Sequence, residues 1–162
     1  MKRLVADTGP ILHLHEAGAL HLLPLIGEIF LPLLVVAELR SLVPALPPKW
    51  ARHQTFSSTA QQRALEWQRA GLLHGGEAEA LALALEIKTD WLLTDDAAAR
   101  LMAESLNIEV HGSIGVVLWM AANKRLKKSE AESFLAGLGK SSLWISPKVR
   151  AEARIALGKL FS

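Results

Sequence analysis

Four times along this chain a short apolar run stops at a polar turn and gives way to a helical pattern, and this alternation restricts the fold most. Lys2-Arg3-Leu4-Val5-Ala6 ends at Asp7-Thr8-Gly9-Pro10, and Glu28-Ile29-Phe30-Leu31 ends at Pro32. Trp91-Leu92-Leu93-Thr94 ends at Asp95-Asp96, and Ile108-Glu109-Val110 ends at His111-Gly112. Runs this short and this apolar fit strands buried on both faces, because a helix needs about ten residues or more. Proline and glycine punctuate the helices between them. Pro10 opens a helix that reaches Ala17 and stops at Gly18, and Pro32 stands at the first position of a helix over Leu33 to Ser41. Further helices are predicted over Ser57 to Ala70, Glu77 to Lys88, Ala97 to Ser105, Ser113 to Ala122, Ser129 to Leu138 and Pro147 to Leu160, with a short turn over His21 to Ile26. Residues 43–56, with Pro44, Pro47 and Pro48, carry no period and read as a loop or lid. Strands alternating with helices predict an α/β domain, a parallel sheet covered by helices on both faces.

Length fits one domain over residues 1–162, read as a core (1–123) and a basic helical tail (124–162). Apolar residues make up 51%, enough for a sizeable core. Cysteine is absent, which excludes disulfides, thiolate metal sites and cysteine nucleophiles and suits a reducing cytosol. The longest apolar run, Ile29 to Ala37, has nine residues between Glu28 and Glu38, far short of a membrane span. Met1-Lys2-Arg3 meets Asp7 almost at once, so no secretory signal is expected and the cytoplasm is the expected compartment. Residues 1–100 hold 9 basic and 11 acidic side chains, whereas residues 101–162 hold 9 and 5. An acidic first part and a basic last part suit a cation and a polyanion in one protein.

The chemistry lies in the acids. In open α/β sheets, sites form beyond the carboxyl ends of strands. Asp7 and the Asp95-Asp96 pair occupy two such ends, although either could be a plain helix cap. Glu38 interrupts a helix that is apolar nearly all round, so it needs a partner, a proton or a metal. Its alternatives are an ion pair with Arg40 or a solvent-facing stripe. Glu77 follows Gly75-Gly76 at a helix start, where acids are favoured by the dipole in any case. Glu79 lies about 200° further round, so only one of the two can face a shared site, and the glycines favour Glu77. Acids gathered this densely repel one another unless a cation joins them, and hard oxygen ligands select Mg²⁺ or Mn²⁺.

These residues resemble the PIN-domain metal-dependent ribonucleases, most closely a prokaryotic, toxin-like (VapC-like) branch. The resemblance rests on the strand ending in Asp7-Thr8-Gly9-Pro10, then Val36-Ala37-Glu38-Leu39, then Gly76-Glu77-Ala78-Glu79-Ala80-Leu81-Ala82-Leu83-Ala84. It continues through Leu92-Leu93-Thr94-Asp95-Asp96, Ala99-Arg100, Ala103 and Gly112-Ser113-Ile114-Gly115-Val116. It implies a three-layer α/β/α fold with a mainly parallel sheet of four to five strands and a helical C-terminal tail. It further implies cleavage of single-stranded RNA by water activated on one or two Mg²⁺ or Mn²⁺ ions, a homodimer, and a small antitoxin protein as partner. Carried over residue by residue, Asp7, Glu38, Glu77 and Asp96 are the implied catalytic acids and metal ligands. Asp95 adjoins the last of these and is counted with the ligands, and Thr8 is a hydroxyl beside the first. The family carries Asp more often where Glu77 stands, which keeps open a degenerate, non-catalytic module. A Mg²⁺-dependent phosphohydrolase using Asp7 as nucleophile is the other alternative, although Gly9 stands where its second acid is wanted.

Weaker features remain. Lys124, Arg125, Lys127 and Lys128 form the densest basic run and, with Arg100, are candidates for RNA phosphate contacts or a solvated helix end. Gly112-Ser113 offers either a phosphate site or a plain cap, and Trp50 and Trp67 either stack on bases or pack under the loop. His13 and His15 point to nearly opposite sides of a helix, which is wrong for a shared metal. The apolar stretch over residues 20–37 offers surplus leucine for an interface between copies.

Overall fold

The computed structural model describes residues 1–162. Its strands are β1 (Lys2–Ala6), β2 (Gly27–Pro32), β3 (Arg52–Gln54), β4 (Trp91–Leu93) and β5 (Val110–His111). All pair in parallel, in the order β3-β2-β1-β4-β5. The helices are α1 (Thr8–Glu16), α2 (Leu23–Ile26), α3 (Leu33–Leu42), α4 (Ser58–Arg69), α5 (Gly75–Ile87), α6 (Ala97–Ser105), α7 (Ser113–Ala122), α8 (Lys128–Gly139) and α9 (Pro147–Leu160). A 3-10 turn, Leu20–Leu22, precedes α2.

Strand side chains alternate between faces, and this divides the core in two. Leu4, Ala6, Ile29, Leu31, Trp91 and Leu93 join α1, α3 and α7 in the larger cluster. Val5, Phe30 and Leu92 join α4, α5 and α6 on the opposite face. Helices thus cover both faces of the sheet, in three layers. The alternating Ala and Leu of α5 pack as a helix buried nearly all round, with Ala78, Ala80, Leu81, Ala82, Leu83 and Ala84 all inaccessible.

Three boundaries differ from expectation. β3 falls inside the stretch read as a loop, because its residues Arg52, His53 and Gln54 have no apolar signature. It exists through its backbone pairing with β2 at the sheet edge. Pro32 ends β2 instead of opening α3, and its fixed φ still sets the helix entry. β5 is shorter than the expected Ile108 to Val110, starting two residues later and ending one later, and its pairing with β4 is set by Leu92–Val110 and Leu93–His111.

Leu126, Ala131, Leu138 and Leu157 of the C-terminal segment are buried in the larger cluster. Most of the apolar stretch over residues 20–37 is used the same way, leaving Leu25 and Leu33 as its half-exposed leucines. No helix is long and apolar enough to cross a membrane.

The connection from β3 back across to β4 matters most for function. From β1 the chain builds outward to β2 and β3, then crosses to start β4 on the other side of β1. The carboxyl ends of β1 and β4 therefore flank the point where strand order reverses, which is where such sheets leave a crevice.

Candidate active site

Asp7 leaves the end of β1 as the N-cap of α1. One carboxylate oxygen accepts from the Thr8 amide at 2.6 Å, and the other accepts from the Thr94 hydroxyl at 3.0 Å. The residue is only 6% exposed and has no cationic partner. Burial drives its pKa up from 3.8 to about 7. The Thr8 and Thr94 hydrogen bonds oppose that rise, while the nearby charges of Glu77 and Glu38 add to it.

Thr94 ends β4 and ties two acids together: its Oγ1 donates to Asp7 and accepts from the Asp96 amide at 3.2 Å. Asp96 caps α6 by accepting from the Ala99 amide at 2.8 Å. The capping reading of this Asp is therefore correct as local structure, and the same cap leaves it on the wall of a cavity. That cavity, about 260 Å³, is lined by Asp7, Gly9, His13, Glu77, Asp95, Asp96, Ser142, Leu143 and Trp144.

Glu38 approaches from α3. Its Oε2 accepts from the Thr8 hydroxyl at 3.3 Å, and burial, joined by the charge of Glu77, raises its pKa. It makes no ion pair with Arg40, which is exposed. Gly76 explains how two helices meet there: a methyl group at that position would overlap the Glu38 carboxyl. Glu77 then faces the cavity, with Oε2 also accepting from the His74 amide at 3.1 Å in a capping box. Glu79 does not line the cavity, so the two glutamates do take different faces. Burial raises its pKa, partly offset by a bond from the Leu34 amide, and the charge of Glu38 reaches it and adds to the rise.

Asp95 has a different environment. Its Oδ1 accepts from the Ser113 amide at 2.7 Å, and its Oδ2 accepts from the Ser113 hydroxyl at 2.5 Å and meets His13 Nδ1 at 2.7 Å. Burial works to raise its pKa, but the bonds from His13 and Ser113 outweigh it and hold the carboxyl below 3.8. Of the two readings of Gly112-Ser113, a helix cap is what forms: the Asp95 carboxylate occupies the α7 N-terminus. Arg100 reaches the same corner, since a methyl at Gly112 would sit 2.6 Å from its Nη1 and 2.7 Å from Asp95 Oδ1.

Lys124, Arg125, Lys127 and Lys128 do not line the acidic cavity. Arg125 donates to the Leu25 carbonyl at 3.0 Å, the Lys127 amide is capped by Glu130, and Lys128 lies 4.0 Å from Glu132. Trp67 packs against the smaller core cluster, while Trp50 is 36% exposed. His13, Ser142, Leu143 and Trp144 line the cavity without having been assigned to it from sequence, and Thr94 and Ser113 bond its acids without lining it.

Asp7, Glu77 and Asp96 thus line one cavity, while Glu38 is outside its lining but bonds Thr8 and lies close enough to repel Asp7, and none of the four has a Lys or Arg partner. Acceptor-only oxygens under mutual repulsion are a donor set suited to a hard divalent cation. As they are disposed, no three His, Asp or Glu side chains already form a group that could hold an ion. A sequence model of the family described as PIN domain matches residues 3–159. No curated protein matches the chain.

Proposed function

Because this chain belongs to the PIN-domain family, whose members are generally nucleases, we propose that it is a Mg²⁺- or Mn²⁺-dependent endoribonuclease acting on single-stranded RNA. The observation that carries this reading is Asp7: a buried carboxyl crowded by Glu38 and Glu77 and without a Lys or Arg partner. Asp7 and Asp96 are the direct ligands, with Glu38 and Glu77 as further ligands or as bases that orient water. A bound divalent cation supplies Lewis-acid activation of water and neutralises charge on the scissile phosphate.

The protein's own part is positioning. Thr8 and Thr94 hold both oxygens of Asp7, and Thr94 fixes its spacing from Asp96. Thr8 also steadies Glu38. Asp95, whose oxygens are taken by Ser113 and His13, acts as a positioning residue that aims the His13 ring at the cavity. Arg100 contributes a nearby positive charge for the phosphate backbone.

The test is cleavage of a single-stranded RNA in Mn²⁺ with an EDTA control. Wild type should cut only with the cation, and Asp7→Asn should lose more than 100-fold of that rate, because mutating a metal-site residue costs about 10–100-fold even one shell out. Undiminished cutting by the variant overturns the assignment. One observation favours a second reading, a non-catalytic module: Glu77 is engaged in its own helix cap. Calorimetric titration separates the two, since a folded protein that takes up no Mn²⁺ is the module. Assignment as the toxin of a toxin–antitoxin pair, dimeric and matched to a small antitoxin, rests on the resemblance. Growth arrest on induced expression, relieved by Asp7→Asn, checks it.

A further inference from the structure

The segment joining α8 to α9 puts the indole of Trp144 at the mouth of the acidic cavity, where it is 81% exposed. The exposed indole stands beside four carboxylates, Asp7, Glu77, Asp95 and Asp96, with its π-face open to whatever lies over the cavity. It does not hang on a loose tip. Ser142 Oγ donates to Glu16 at 2.5 Å and the Ser142 amide donates to the same oxygen at 3.2 Å. Ser141 Oγ donates to the Leu138 carbonyl at 2.7 Å and accepts from the Leu143 amide at 3.2 Å. The segment is thereby pinned to α1 and to the end of α8.

The next residue, Ile145, borders two further cavities of about 560 and 330 Å³, both of which also touch Arg150 and Arg154. These arginines stand four apart on one face of α9, and no carboxylate pairs with either. Residues 142–154 therefore carry in order one wall of the acid cavity, an exposed indole and a pair of arginines without carboxylate partners. We propose that this is a single-stranded RNA track, in which a base next to the scissile phosphate stacks on Trp144 and the following phosphates meet Arg150 and Arg154. The pieces match what single strands need: a π-face that accepts any base, then positive charge for the backbone. This inference rests on the ribonuclease reading for the identity of the strand.

The test measures binding in EDTA, where no cutting occurs, by anisotropy of an end-labelled RNA dodecamer over a salt series. Trp144→Ala should weaken binding about 5- to 100-fold, Trp144→Phe should retain most of it, and an abasic oligomer should be blind to both changes. Arg150→Ala with Arg154→Ala should flatten the slope of log affinity against log salt by about 1.4, the value for two lost contacts to a single strand. Equal binding by wild type and Trp144→Ala overturns the track, as does an unchanged salt slope. So does a Trp144→Ala protein that loses only self-association on sedimentation, which would make the indole a protein contact. Cutting in Mn²⁺ is scored separately. Wild-type cleavage with no role for Trp144 removes the track and keeps the nuclease, whereas Trp144-dependent binding without cleavage does the reverse. A wild type that binds no RNA in EDTA removes the track, and the nuclease reading is then decided by cutting in Mn²⁺ alone.

Discussion

Asp7→Asn should make the cation-free protein more stable while disabling it. The fold lifts this carboxyl from 3.8 to about 7, so the native state holds the proton more tightly than the unfolded chain does. A raised acid stabilises the fold fully below its unfolded pKa, and that contribution is lost as pH climbs through the folded one. At about 1.4 kcal/mol per pH unit, keeping Asp7 charged in the fold costs up to about 4 kcal/mol above about pH 8. Asparagine cannot ionise, keeps an acceptor for the Thr8 amide, and offers an NH₂ to the Thr94 hydroxyl in place of the bond now accepted. Urea unfolding in EDTA should therefore show the variant about 2–4 kcal/mol more stable than wild type near pH 8, with the gap closing near pH 4. Burial of Glu38 and Glu79 leaves the variant some residual slope of the same sign. Mn²⁺ should close most of the gap, because a ligand at a hundred times its dissociation constant adds about 2.7 kcal/mol to wild type and nothing to a variant that cannot bind it. Equal stability of the two proteins near pH 8, or identical pH profiles, would refute the claim that this charge is buried unrelieved.

Gly76→Ala should drive the new methyl into the Glu38 carboxyl, costing about 1–3 kcal/mol in urea unfolding and a larger share of activity than of stability. His13→Ala should let burial win at Asp95, so that its carboxyl titrates higher when followed by carbon NMR; an unmoved value would mean that Ser113 suffices. Glu79→Gln should ease the alkaline decline in stability and, by removing a negative charge near Glu38, leave Mn²⁺-dependent cutting within a few-fold of wild type, since Glu79 itself does not line the cavity. Leu138→Ala should cost about 2–5 kcal/mol, as expected of a core residue and not of a loose tail.

What could be read from the chain was local. A short apolar run with Asp at its end is visible without any partner, and this is why Asp7 and Asp96 were identifiable. Glu38 shows itself as the one acid in an apolar helix, and Gly75-Gly76 as a place of close approach, where side chains of Leu34 and Glu38, not a second backbone, come in. The rest depends on contacts between residues far apart in the chain. Nothing near His13 announces Asp95, 82 positions away, and Thr94 becomes a bridge only once β1 and β4 lie side by side. β3 left no trace because an edge strand held by backbone bonds needs no apolar pattern. Trp144 was overlooked because its importance comes from where α8 and α9 place the loop between them, not from its neighbours in sequence.

The pinned α8–α9 segment has one more consequence. Asp7, Asp95 and Asp96 stand at sheet strand ends and Glu77 at a core helix, but Ser142, Leu143 and Trp144 belong to a separate stretch anchored by Glu16. The wall that meets an incoming strand and the wall that holds the reactive acids are thus different pieces of the molecule. Exchanging a handful of residues in the former could retune which sequences are gripped while the cutting apparatus stays as it is.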